Sequence, residues 1–350
     1  MLEIDPETLS AILECDTLGL MPLTAEQRMK AALDVRLARR SATPDDPDAI
    51  AFRARLRAVE QILRDDVRKH LAEVPILWIE SSLPHAAAIQ SARGPALLVC
   101  RGLFDVVHFQ TSLISVGSLL SRLETETDES GETLSPSHLL NLAGHIALVD
   151  AYENLWPPVT IADMLGPRAA KDVELGVSTS LLLLILHELG HVALGHTTRV
   201  DVGGAIQVDI VPHTSSLSSR RSIELAADAY SVEAVIEKWR SELLSSLLNL
   251  HNVFHFLEIF GLQHTQEYPS ADERLSLMIS KMGLGHSEQA FADSWLSDYR
   301  HRQAMISANG RTPVETLRRF AEVMDSRAAY KALDRIRRDL AASGIVLDYD

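Results

Sequence analysis

Apolar positions recur at helical spacing through most of this chain. From about Asp48 to Leu71, the residues Ile50, Phe52, Leu56, Val59, Ile62 and Leu63 fall close to one helical stripe, and Thr24 to Arg40 reads as an earlier helix. The pattern then shortens. Ile76-Leu-Trp-Ile79 and Ala96-Leu-Leu-Val-Cys100 are apolar runs bounded by prolines and by Arg93-Gly94-Pro95, as buried strands are, with His85-Ala-Ala-Ala-Ile89 a third strand candidate between them. Helical periodicity returns from Thr179 to about Ser343. It is interrupted over 204–211, where Ile206, Val208 and Ile210 alternate as in a strand. The pattern predicts an α+β protein: a mostly helical domain with a small sheet, flanked by N- and C-terminal helices.

Three stretches break the periodicity and carry turn formers: Ser41 to Asp48 with two prolines, the acidic Glu124 to Ser137, and the serine-rich Thr214 to Ser222. They support a division into an N-terminal helical region over 1–73, a central domain over 74–285 with an insertion at about 109–171, and a C-terminal helical region over 286–350.

Charge narrows the partners. The 350 residues carry 33 Lys plus Arg against 48 Asp plus Glu, a formal net charge of −15. Such a surface repels phosphate backbones, which argues against nucleic acid or an anionic membrane as the main partner. The only two cysteines, Cys15 and Cys100, give no disulfide framework and fit a reducing compartment. The acidic start Met1-Leu-Glu-Ile-Asp5 is unlike a signal peptide. The longest apolar run, Leu181 to Leu186, is short against the roughly 20 residues of a bilayer span. These features predict a cytoplasmic protein without a membrane span; they do not set an oligomeric state.

The chemistry concentrates in Leu181-Leu-Leu-Leu-Ile-Leu-His187-Glu188-Leu-Gly-His191-Val-Ala-Leu-Gly-His196. Ser178 or Ser180 would cap this helix and Gly195 would end it. His187 and His191, four apart, project from one helical face, the spacing at which two imidazoles bind one tetrahedral Zn²⁺. Glu188, beside the open coordination position, is placed to take a proton from water there. A third ligand decides whether this string is a site. Thr197 stands where a third histidine would follow in metzincins, and the glycine falls at Gly195 rather than at 194, which excludes that class. Glu224-Leu-Ala-Ala-Asp228, on a helix predicted from Ser222 to about Arg240, supplies the alternative. Glu224 completes a His₂Glu set with one position open, and Asp228, four residues on, can accept the other ring N–H of a ligand histidine.

These residues resemble the gluzincin metallopeptidases typified by the CaaX prenyl endopeptidase and its bacterial heat-shock and periplasmic relatives. His196 matches a histidine that family often carries, and Glu224-Leu-Ala-Ala-Asp228 its third-ligand motif. Upstream, Ile76-Leu-Trp-Ile79, His85-Ala-Ala-Ala88 and Arg101-Gly-Leu-Phe104 resemble its strand, edge segment and Gly-Leu element; downstream, Tyr268-Pro269 and Arg274 resemble its His-Pro and Arg. Departures are His85 for asparagine, Tyr268 for histidine, the long 109–171 segment, and the lack of the transmembrane helices of membrane-bound members. Phage-exclusion peptidases of the Lit type are similar soluble proteins, and the sequence does not separate the two. The ImmA/IrrE-like regulators fit less well, because their Phe-Ala and Leu-Met-Pro pattern is missing.

The resemblance implies a zinc-dependent endopeptidase acting on protein or peptide substrates, with Glu188 as general base. Tyr268, Arg274 or His85 would hold substrate or the developing oxyanion, and the edge segment 85–90 would pair with an extended substrate. The competing reading is a non-catalytic zinc-binding regulatory or partner-binding module. Glu188 discriminates, since a purely structural site needs no base. His251 and His255, also four apart, lack an acidic partner motif and read as structural; His213 and His264 are loop histidines, and Cys15 a small buried hydrophobe.

Overall fold

The computed structural model describes residues 47–79, 86–91, 94–125, 135–153, 158–196, 198–202, 205–209, 217–259, 268–308 and 325–349. The expected helix over Thr24–Arg40, Cys15, His85, His213, His264, and most of the Ser41–Asp48 and acidic 124–137 stretches lie outside them. The protein is mostly helical with small sheets, as the periodicity predicts. It forms two compact units, one from 1–104 and 178–297, the other from 105–177 and 298–350.

Among the described residues the first unit begins with α1 (Pro47–Val59), a 3₁₀ turn at Glu60–Ile62 and α2 (Asp65–Glu73). The single helix expected over 48–71 is therefore two. Between them Leu63 forms a bridge with Val235, the Arg64 N–H donates to Ala234 O at 3.0 Å, and the Ile236 N–H donates to Ile62 O at 2.8 Å. Backbone groups that a continuous helix would use internally are spent on a distant segment. Of the expected stripe, Phe52, Leu56, Val59 and Leu63 are buried, Ile62 is half-buried and Ile50 is exposed, while Val67 and Leu71 continue the buried face along α2.

Next come β1 (Ile76–Ile79), β2 (Ala86–Ser91) and β3 (Gly94–Cys100). They form one sheet in the order β1-β3-β2, with β1 parallel and β2 antiparallel to β3. The continuous apolar run 96–100 is what a central strand buried on both faces requires, and all five residues are buried. Trp78 packs on Phe52 with ring centroids 5.0 Å apart. The expected strand near 204–211 is β5 (Ala205–Asp209), and it pairs antiparallel with β4 (Thr198–Val202), a strand the sequence reading missed. Val200 and Val202 alternate with charged residues there, and Gly203-Gly204 is a two-residue hairpin signal.

Arg101–Thr125 forms α3, Pro136–Glu153 α4 and Pro167–Ala193 α5. The HExxH helix is thus longer than expected. It begins at Pro167, a favoured first helical position, so Ser178 and Ser180 are interior and buried rather than capping. Its amino end is capped from far along the chain: Asp348 accepts from the Ala169 N–H at 2.7 Å and from the Arg168 N–H at 3.3 Å. Arg101–Leu123 and Pro167–Ala193 are long and apolar enough to cross a bilayer, and 72% of the apolar window of each is buried, as in core helices.

The Ser-rich stretch turns helical at Leu217. Here α6 (Leu217–Glu233) ends at the bridge to Leu63, and α7 (Glu237–Arg240) follows, so the helix expected over Ser222–Arg240 is divided. Then come α8 (Leu244–Ile259), α9 (Ala271–Met282) and α10 (His286–Ala308). α9 packs on both α6 and α8. A capping box starts it, with Ser270 and Glu273 each accepting from the other's backbone N–H. In the second unit α11 (Ser326–Ser343) packs on α4, with Tyr330 Oη and Ser326 Oγ donating to Asp150 at 3.0 and 2.8 Å.

Candidate metal centre

The centre is built where α5 and α6 approach closely. Gly190 makes the approach possible: a Cβ at this position would lie 3.2 Å from Ala227 Cα and 3.2 Å from Tyr230 Cβ and Cδ1. With no side chain in the way, Glu224 of α6 reaches the two histidines of α5.

His187 Nε2 and His191 Nε2 lie 3.2 Å apart, and Glu224 Oε2 is 3.3 Å from His187 Nε2, with Oε1 3.8 Å from His191 Nε2. Ligands about 2.0–2.2 Å from a tetrahedral zinc are separated by about 3.3–3.6 Å, so the triad's spacing fits that ion. His187, His191 and Glu224 are all buried. Charge fits as well. With both histidines neutral, as metal ligation requires, and Glu188 ionised, Glu188, Glu224 and Asp228 face one guanidinium, Arg274, leaving two negative charges that a divalent cation would cancel.

Each histidine has its second nitrogen engaged. His187 Nδ1 lies 2.8 Å from Asp228 Oδ1, and His191 Nδ1 lies 3.1 Å from His196 Nδ1. Asp228 is fully buried and held by Arg274, which donates from Nε to Oδ2 at 2.8 Å and from Nη2 to Oδ1 at 2.7 Å. The guanidinium in turn lies over the Phe254 ring, 3.9 Å from its centroid. Arg274 itself is only 5% exposed.

The titration of the cluster follows from these contacts. Burial would raise Asp228, but Arg274 and then His187 outweigh it and hold the carboxyl at about 2. Glu224 is likewise lowered to about 2, burial being overcome by His187 and His191. Burial favours loss of the proton at both histidines of the triad. It prevails at His191, lowered to about 3, while Asp228 and Glu224 reverse it at His187, raised to about 10. Two buried carboxylates demanding positive charge beside one imidazole is the condition a bound cation relieves.

Glu188 stands apart from the triad. Its Oε2 accepts from the Ala88 N–H of β2 at 2.7 Å, which ties the carboxylate to the sheet's edge. The residue keeps part of its surface accessible, but desolvation of the carboxylate, helped by Glu224, pushes its pKa up to about 7 against the pull of His187 and Ala88.

Of the other residues singled out in the sequence, Tyr268 is partly exposed where the chain enters α9, and its carbonyl accepts from Arg221 Nη1 at 3.5 Å. His251 and His255 stack at 6.4 Å on α8, with buried His251 Nε2 3.4 Å from Asp272 Oδ1, and neither belongs to the triad. Sequence reasoning missed Ala88 as the anchor of Glu188, Phe254 as the seat of Arg274, and Gly190. Only Gly190 had a local signal, a glycine in the middle of a strong helical run.

Residues 162–294 match the model of the Peptidase U49 family, the Lit type of peptidase. The matched segment contains the whole triad together with Glu188, Asp228 and Arg274. Of the two resemblances left open by the sequence, the match supports the Lit-type one. No curated protein and no solved structure matches the chain.

Proposed function

We propose that this chain is a zinc-dependent endopeptidase of the gluzincin kind, with His187, His191 and Glu224 holding the metal and Glu188 as general base. The observation that carries the reading is Glu188 itself: a carboxylate next to a buried His₂Glu set, outside it, partly accessible and fixed by a backbone N–H. A site kept only for structure has no use for that arrangement. The family match over 162–294 supports a peptidase by an independent route.

Zinc bound at this triad would supply Lewis-acid polarisation of a carbonyl oxygen and acidify nearby water. The chain's own groups do the rest. Glu188 takes the proton of the attacking water and delivers it to the leaving amine, a role suited to a partly accessible carboxylate fixed by a backbone N–H. Asp228 fixes the tautomer of His187, and Arg274 neutralises Asp228, so Arg274 works as a positioning residue behind the ligand. The Ala88 N–H points away from β3 toward Glu188, and by strand alternation the backbone groups of Ala86 and Gln90 face the same way. An extended protein substrate pairing with this edge would bring its peptide bonds to Glu188. Tyr268, at the entry to α9, remains the proposed donor to the developing oxyanion.

The experiment is Glu188→Gln. The purified variant should keep about one zinc per chain by metal analysis and lose nearly all hydrolysis of a peptide library. Wild-type hydrolysis in the variant would end the general-base role. Hydrolysis absent from zinc-loaded wild type would favour the non-catalytic zinc module instead.

A further inference from the structure

The helix that carries the two histidines ends in a full Schellman motif. The Gly195 N–H donates to Val192 O at 3.1 Å and the His196 N–H to His191 O at 2.8 Å, with Gly195 in the left-handed region at φ 69°. This cap places the second residue beyond the helix against the third-last helical residue, where an apolar pair usually meets. Here those two residues are His196 and His191. Their rings meet edge to face at 5.3 Å, and the Nδ1 atoms lie 3.1 Å apart. His191 turns its Nε2 to His187 and Glu224, so its Nδ1 faces outward from the triad.

Resting on the zinc reading above, we propose that His196 is a positioning residue for the second metal ligand, its Nδ1 accepting the Nδ1–H of His191 and fixing that ring's orientation. The directions follow from imidazole chemistry. A ring that coordinates through Nε2 carries its proton on Nδ1, and two facing Nδ1 atoms bond only if the other one is bare. His196 therefore holds its own proton on Nε2. It is not itself a ligand, since its near nitrogen is taken by the side of His191 that faces away from the triad. The two ligand histidines are thus supported differently. His187 has a carboxylate held by Arg274, whereas His191 has a neutral imidazole brought into place by a helix cap. Spacing and function are linked: the left-handed glycine at 195 folds the chain back so that residue 196 reaches the ring of residue 191.

Two substitutions in the full chain separate this role from a structural one. His196→Leu keeps the apolar contact a Schellman cap favours but removes the acceptor. In His196→Asn the side-chain Oδ1 can take the place of Nδ1. Zinc affinity would be measured by competition with a graded chelator, ligand geometry by the visible spectrum of the Co²⁺-loaded protein, and fold by the Tm of the chelated protein. We expect His196→Leu to melt like wild type when chelated, to bind zinc about 10–100-fold more weakly, and to shift the Co²⁺ bands. His196→Asn should recover most of the affinity and the wild-type spectrum. Wild-type affinity and spectrum in His196→Leu, or Asn as weak as Leu, would overturn the proposal while leaving the zinc reading intact. A wild-type chain that takes up no zinc would overturn both.

Discussion

Arg274 is held by three things at once: two hydrogen bonds to Asp228, a stacked position on Phe254, and burial. A guanidinium so enclosed has little surface to offer a substrate. Its effect on the site runs through Asp228 to the His187 ring. Taking the guanidinium away leaves a carboxylate buried beside one imidazole, and breaking a buried pair in this way costs about 3–5 kcal/mol. Arg274→Gln should therefore destabilise the chelated protein strongly. Asp228→Asn, which leaves the cation unpaired, should do so too. The double variant should lose clearly less than the two singles combined, because the penalty is one of orphaned charge. Urea unfolding of the four proteins measures this cycle. Additive losses would show that the two side chains act separately, and a stable Arg274→Gln that loses only turnover would return Arg274 to the substrate.

At the scale of elements, the site depends on how closely α5 and α6 approach. A methyl at Gly190 would meet the backbone of Ala227 and the base of Tyr230 at 3.2 Å, so Gly190→Ala has to push α6 outward by a few tenths of an ångström. The stability cost is partly cancelled. Overpacking costs about 1–3 kcal/mol, while alanine gains about 1 kcal/mol over glycine inside a helix. Metal geometry has no such compensation, since ligand distances are held within about 0.2 Å. Gly190→Ala should thus fold, with a chelated Tm near wild type, yet bind zinc at least several-fold more weakly. Unchanged affinity in a chelator titration would mean that α6 has slack the packing does not suggest.

The same elements show what the sequence could reveal. The His187–His191 spacing and the Glu224–Asp228 pair lie within single helices, so period and spacing exposed them. The start of α5 was hidden because its cap is Asp348, 179 residues from Ala169. The break after Ile62 was hidden because the backbone of 234–236 causes it. Phe254 and Ala88 act on the site from other elements and leave no trace in local pattern. Contacts that close within a turn were legible, and those that depend on tertiary approach were not.

For the whole molecule, a metal at the triad would be linked to stability by mass action. Only the folded chain gathers His187 and His191 from α5 and Glu224 from α6, so zinc held there as proposed would favour the folded state over the unfolded one. At about a thousand times Kd that preference amounts to about 4 kcal/mol. With an unfolding entropy of about 2.1 cal/mol/K per residue, the rise in Tm is about 6 °C if all 350 residues melt together. It is about 9 °C if the unit of 1–104 and 178–297 melts by itself, because a smaller entropy turns the same free energy into a larger shift. Calorimetry of the zinc-loaded and chelated protein reads both the shift and the enthalpy of the transition that moves, so the size of the cooperative unit follows from the same scan. Glu224→Ala, short of one ligand, should show a much smaller shift at equal zinc. A wild-type Tm indifferent to chelator would remove the metal from the folded state altogether, and with it the role given to the triad.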